Sequence, residues 1–372
     1  LKRLERHDFS ISSPSSSLLG AASLLQRSSA SLTFYRMFGF TKLECRTYMI
    51  LSICWLSIII VNQLEQPYAR SLVTCDAPAN ATAGAEFSGS KFCGNRLHVI
   101  DAGSKISGYG QSLENLGRFA ITLFVSGFVD RGRKQAAILG QLMLLISTLL
   151  FVAARFSQVL ALPCYVIAQG VQGMSGLGIL DEIITGDLAL KLGDPVGLYN
   201  RKNCVAAAMA IFLTPLILWV QYAEFTDFTA VWLLMVGLNA LALVLLIAFF
   251  PDDLGAEAKP VEKFSVSRTC RVELSKFYTL IKTCPLIRYR VLEQFLGGLA
   301  DTSVISIPFF MAEFGYSQMS ALLAGILPSM ILGQLFLPLV PALCRRFGYR
   351  PIVSVSYWYC KIGVILLCLF QL

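Results

Sequence analysis

Gly127-Phe128-Val129-Asp130-Arg131-Gly132-Arg133-Lys134 is a turn of a few residues between two long apolar stretches, 106–128 and 135–154. A bilayer core about 30 Å thick takes about 20 apolar residues as helix. Each flank is therefore long enough to cross, and the turn must fold straight back with its Arg and Lys side chains in water. Working outward, nine such stretches occur, at 47–66, 106–128, 135–154, 160–184, 203–222, 229–250, 291–312, 319–341 and 351–372. Six spans after the first turn, Cys344-Arg345-Arg346-Phe347-Gly348-Tyr349-Arg350-Pro351 joins the eighth to the ninth in the same manner. Gly beside Arg is also what any tight internal turn collects. A recurrence after six spans is, in addition, the mark of a six-plus-six pseudo-repeat.

Composition supports the membrane reading. The 372 residues are 55% hydrophobic and 15% charged, with a mean hydropathy of +0.64, whereas soluble domains carry about 25% charge. An all-α polytopic membrane protein is expected. With only two His, His7 and His98, there is no material for a His-ligated metal or His-based acid–base chemistry. No G-x-x-x-x-G-K-[ST] phosphate loop occurs either. An enzyme, an ATP-driven pump, a metal and a cofactor are accordingly not expected. The net charge of +8 follows from topology. With the N-terminus cytoplasmic, 24 of the 31 Lys and Arg fall on the inside and every internal segment shares in the excess. No basic face is left over for nucleic acid.

The expected organisation has a disordered cytoplasmic tail at 1–46, rich in Ser at 12–17. A six-helix bundle follows at 47–250, with an external loop at 67–105. A basic, amphipathic cytoplasmic link spans 251–290, and 291–372 holds the first three helices of a second bundle. The external loop contains Cys75, Cys93 and the sequon Asn80-Ala81-Thr82, the one N-x-[ST] match in the chain. Asn80 is thus a glycosylation candidate and Cys75–Cys93 a disulfide candidate on the oxidising side. The chain opens on Leu1 and stops at Leu372 within an apolar run, so further spans are expected beyond it.

The Asp130-Arg131-Gly132-Arg133-Lys134 turn resembles the G-x-x-x-D-R-x-G-R-[KR] motif between the second and third helices of the major facilitator superfamily. The first copy here is one residue shorter on both sides of Asp130-Arg131, and the second has Arg345 where the acid belongs. Tyr109-Gly110-Gln111, Leu123-Phe124-Val125-Ser126-Gly127-Phe128 and Gln172-Gly173-Met174 are similar to the organic-anion-transporting polypeptides within that superfamily. So are Gly186-Asp187-Leu188, Asp194-Pro195-Val196-Gly197-Leu198-Tyr199 and Thr283-Cys284-Pro285-Leu286. Of that branch's Trp-rich signature at the sixth span, Ala230 and Trp232 remain. The resemblance implies a twelve-helix bundle of which nine are present, working by alternating access on amphipathic organic anions in the plasma membrane. It implies a conformational gate at Asp130, Arg131, Arg133, Lys134, Arg345, Arg346 and Arg350.

Ionisable groups inside spans cost about 2.5–3.5 kcal/mol each on insertion scales, so each is a candidate for a pathway. Glu114 and Arg118 stand at i and i+4 on the second span, as a local ion pair or as an anion-facing Arg held by its neighbour. Glu293 and Asp301 flank Gly297-Gly298 on the seventh span, and Lys361 lies within the ninth with no acid within four residues. Asp181, Glu182 and Asp187, near the inner end of the fourth span, suit gate contacts. The glycines of that span, Gly170, Gly173, Gly176 and Gly178, suit close helix packing. The two function classes that follow are a secondary transporter for organic anions and a non-transporting homologue acting as receptor or scaffold. For the latter, the acid missing from the second turn and the eroded Trp signature count. The expected partners are the small-molecule anion and the lipid bilayer; oligomeric state is not legible.

Overall fold

The computed structural model describes residues 41–73, 95–129, 132–156, 158–193, 228–252, 266–285 and 339–348, with short pieces at 197–199, 201–202, 287–289, 291–292, 312, 315, 351–352 and 354–355. Among these the fold is all-helical, without strands. The helices are α1 (Lys42–Ser71), α2 (Arg96–Val129), α3 (Arg133–Phe156), α4 (Gln158–Gly173), α5 (Leu177–Leu192), α6 (Phe228–Phe249), α7 (Val266–Thr283) and α8 (Val340–Phe347). Three of them, α1, α3 and α6, are long and apolar enough to cross a membrane. The tail before residue 41, the fifth expected span and most of the seventh to ninth lie outside the described residues.

Hydropathy located the apolar middles of these helices but not their ends. α1 starts five residues before its apolar run because Thr41 and Glu44 form a capping box. Thr41 Oγ1 accepts from the Glu44 backbone N–H at 3.3 Å and Glu44 Oε2 accepts from the Thr41 N–H at 2.5 Å. α2 begins ten residues before its apolar run, where Val99 and Ile100 are buried and Val99 packs on Val73. The expected external segment 67–105 is therefore helical at both ends, with 74–94 outside the described residues.

The fourth expected span is not one helix. α4 closes with Met174 N–H on Gly170 O and Ser175 N–H on Gln172 O, and Gly176 then takes φ 61°, ψ 6° before α5 begins. That left-handed conformation is open to Gly and costs other L-residues about 1–2 kcal/mol, so the break sits where Gly allows it. Gly140 of α3 packs into the break, where a Cβ would lie 2.4 Å from Ser175 O. Ile121, Leu139, Met174 and Leu180 line a mostly apolar crevice around it.

α4 packs most extensively on α2 and α3, α3 on α6, and α1 on both α2 and α6. Two apolar clusters stack along the bundle. One joins Cys45–Cys54 of α1 to Leu144, Ile184, Leu188 and Leu246; the other joins Ile60–Ala69 to Phe151, Tyr165, Phe228 and Trp232. In the second, Trp232 stacks on Phe151 with ring centroids 4.5 Å apart, and Tyr68 donates to Phe151 O at 2.7 Å. Between the clusters lies a polar layer in which Asn239 Oδ1 of α6 accepts from Ser57 Oγ at 2.5 Å and from Gln141 Nε2 at 2.8 Å. The outer surface is apolar. α6 is the most apolar of the three long helices, yet only 33% of its apolar window is buried. Leu233, Leu234, Leu241, Val244 and Ile247 on α6, and Leu142, Ile146 and Leu149 on α3, point away from the bundle. Water would leave such faces unsatisfied, whereas hydrocarbon solvates them.

Candidate functional site

α2 has three faces. The buried one is small and polar, formed by Gly103, Ser107, Gly110, Glu114 and Gly117. Small residues let α4 approach closely. A Cβ on Gly173 would stand 2.0 Å from Glu114 O, and one on Gly117 would stand 2.4 Å from Gly170 O. Gly170 and Gly173 thus serve the packing expected of them, whereas nothing lies within 4 Å of a Cβ built on Gly178. The second face carries Ser104, Gln111, Asn115, Arg118 and Thr122 at spacings of three, four and seven, half-buried to exposed. The third is apolar and exposed, with Tyr109, Leu116 and Phe119. A helix with both an apolar and a polar outer stripe is suited to lipid on one side and to an aqueous path on the other.

Glu114 and Arg118 form the expected i,i+4 ion pair, with an Arg118 NH2 group donating to Glu114 Oε1. The two differ sharply in exposure. The Glu114 side chain is 6% exposed and that of Arg118 56%. The carboxylate is therefore an anchor inside the α2–α4 contact, and the guanidinium lies on the polar stripe with donors to spare.

Next to this pair is a third ionisable group, Glu65 of α1. Glu65 lies within the first apolar run and was hidden by its neighbours' hydropathy. Its carboxylate accepts from Gln172 Nε2 at 2.5 Å and lies near the Gln169 side chain, whose Nε2 donates to Tyr165 OH at 3.5 Å, and within electrostatic range of Glu114 and Arg118. Gln172 Nε2 also donates to Asn62 Oδ1 at 2.8 Å, and Tyr165 OH to the Glu65 backbone oxygen at 3.1 Å. The available signal was periodicity: Asn62/Glu65 and Gln169/Gln172 are both i,i+3 polar pairs inside apolar runs, each one turn on one face. Gln172 had entered only through the family resemblance.

A second charged cluster closes the other end of the bundle. Of the expected gate residues, Arg133 Nε donates to Asp187 Oδ2 at 2.5 Å and its NH1 to Val129 O at 2.6 Å. Lys134 Nζ meets Asp252 at 3.0 Å. Lys202 Nζ binds Asp181 Oδ2 at 2.5 Å and Glu182 Oε1 at 3.1 Å, and Arg201 binds Glu44 at 2.6 Å. Burial works to lower the Lys202 pKa, but the charge and hydrogen bond of Asp181, helped by Glu182, outweigh it and raise it above the ordinary 10.5. Asp181, Glu182 and Asp187 thus each pair with a base, the partners coming from α3 and from 201–202. Arg345 and Arg346 on α8 are exposed, and the Arg346 guanidinium lies 5.3 Å from the Phe347 ring centroid.

Asp130, Arg131, Arg350, Glu293, Asp301, Lys361, Asn80, Cys75 and Cys93 lie outside the described residues. Among the described residues no group of three or more His, Cys, Asp and Glu has the arrangement of a metal site. No family model, curated protein or solved structure matches the chain.

Proposed function

We propose that this chain belongs to a secondary transporter of the plasma membrane, working by alternating access on amphipathic organic anions, with the N-terminus cytoplasmic. One observation carries the reading: the half-exposed guanidinium of Arg118 is held on a polar stripe by a buried carboxylate, inside a bundle whose outer surface is apolar. A fixed cation on an aqueous-facing stripe suits recognition of a carboxylate or sulfate, for which guanidinium geometry is matched. The resemblance of Asp130–Lys134 to the major facilitator turn supports alternating access, and the ion pairs of Arg133 and Lys134 are the contacts that one conformational state would hold.

Uptake of a fluorescent organic anion into vesicles bearing the full-length protein tests this, with Glu114→Gln, Arg118→Gln and the double variant compared. Arg118→Gln leaves the buried Glu114 carboxylate unpaired and should insert poorly, whereas Glu114→Gln leaves a half-exposed guanidinium and should insert better; the double leaves two amides and should insert normally. If Arg118 faces the anion, the double variant nevertheless transports little. Transport near wild type in the double variant assigns the pair to scaffolding. No uptake by a correctly inserted wild-type protein refutes the transporter and favours the receptor or scaffold.

A further inference from the structure

Among the described residues, the cluster around Glu65 contains one negative charge too many. Two carboxylates, Glu65 and Glu114, share the charge of one guanidinium, Arg118, whose hydrogen bond goes to Glu114 and which reaches Glu65 only through space. The other groups turned towards Glu65 are neutral: the amides of Gln169 and Gln172, and Tyr165, whose hydroxyl is on the Glu65 backbone oxygen. An ion left uncompensated in such surroundings costs several kcal/mol.

A second, independent observation concerns the acceptors. Gln169 is 1% exposed and Gln172 4%, and the Oε1 atom of each is buried without a hydrogen-bond partner among the described residues. The Gln172 amide nitrogen donates to Glu65 and that of Gln169 to Tyr165 OH, itself on the Glu65 backbone oxygen, so the two partnerless oxygens belong to amides of this same cluster. The cluster therefore lacks one positive charge and one donor at the same place. A proton on Glu65 supplies both: it neutralises the carboxylate, and its O–H can donate to an amide oxygen while the second carboxyl oxygen keeps its amide donor. A bare alkali cation would need several oxygens converging on one point, whereas Gln172 presents its Nε2 donor to the carboxylate.

We propose that Glu65 is the proton-binding group of this bundle, held by Gln169 and Gln172 beside the Glu114–Arg118 pair, and that its proton is exchanged as the transporter moves its substrate. The coupling rests on the transporter reading; the proton site does not.

The test has two arms. Infrared titration of the purified full-length protein in lipid reads the site directly, through the carboxylic-acid C=O band. Wild type should show a band lost on raising pH, Glu65→Gln should lack it, Glu65→Asp should keep it, and the band should be indifferent to sodium. Absence of the band in wild type, its survival in folded Glu65→Gln, or its removal by sodium at constant pH overturns the proposal. In vesicles, wild-type uptake should fall by about tenfold per pH unit above the midpoint of that titration, as the protonated fraction does. Glu65→Gln should exchange anions with no such dependence. pH-independent uptake by wild type overturns the coupling. No uptake at any pH refutes the transporter reading, while the infrared arm still decides the proton site.

Discussion

Replacing Gly173 by Ala tests the contact on which the candidate site is built. The new Cβ would lie 2.0 Å from Glu114 O, where ordinary contacts begin at 3.4 Å, so α2 and α4 must part locally by about 1.4 Å. The obstructing atom is backbone and cannot rotate aside. Separation also loosens Gly117 against Gly170 O and Gly170 against Leu113. Overpacking of this kind costs about 1–3 kcal/mol. The helical preference of Ala returns less than about 1 kcal/mol, because Gly173 is the last residue of α4. A net loss of about 2 kcal/mol, or about 30-fold in the folding equilibrium, is expected. SDS titration of the purified protein in mixed micelles, followed by circular dichroism, measures it. Gly108→Ala is the control, since it lies within α2 with no atom within 4 Å of the new Cβ, and should be neutral or stabilising by about 0.5–1 kcal/mol. Because the displaced atom belongs to Glu114, organic-anion uptake should fall with stability in Gly173→Ala and not in Gly108→Ala. Equal stability of Gly173→Ala and wild type, or an equal loss in the two variants, refutes the close contact.

Asn239→Leu removes the acceptor of Ser57 and Gln141, with an expected cost of about 0.6–1.7 kcal/mol in the same assay. Gln141→Leu added to it should recover part of the loss, since Ser57 alone is then without its acceptor. For Lys202, the folded pKa is raised, so its contribution is complete below the ordinary 10.5 and is lost as pH rises through the higher folded value. The Lys202→Met stability difference should therefore be constant between about pH 6 and pH 9 and shrink only in stronger alkali. In the segment expected to be external, Asn80→Gln should abolish a glycosidase-sensitive gel shift. Cys75→Ser should abolish a non-reducing mobility shift shared with Cys93→Ser.

A helix of hydrocarbon solubility needs only a run of apolar residues, and that property is local. For this reason α1, α3 and α6 were legible from composition windows alone, and the Glu114–Arg118 pair from its i,i+4 spacing. The first, second and fourth expected spans differ from their expected limits where local rules other than hydropathy act: the Thr41–Glu44 box at the start of α1, the amphipathic first turns of α2, and Gly176 between α4 and α5. Spacing likewise indicated that Gly170 and Gly173 pack, but not which helix they meet.

What the chain could not declare is which polar groups share a neighbourhood. Asn62 and Gln172 are 110 residues apart, Ser57 and Asn239 182 apart, and Arg133 and Asp187 54 apart, yet each pair is in hydrogen-bond contact. Those meetings depend on which faces of α1, α2, α3, α4 and α6 turn inward. Helix packing decides that through the glycines of the α2–α4 contact and the two apolar clusters on either side of the Asn239 layer. By itself the sequence determined that Glu65 is an acid within an apolar run; only the tertiary structure set it beside Glu114, Arg118 and two amides, where an extra charge carries a cost that a surface acid never meets.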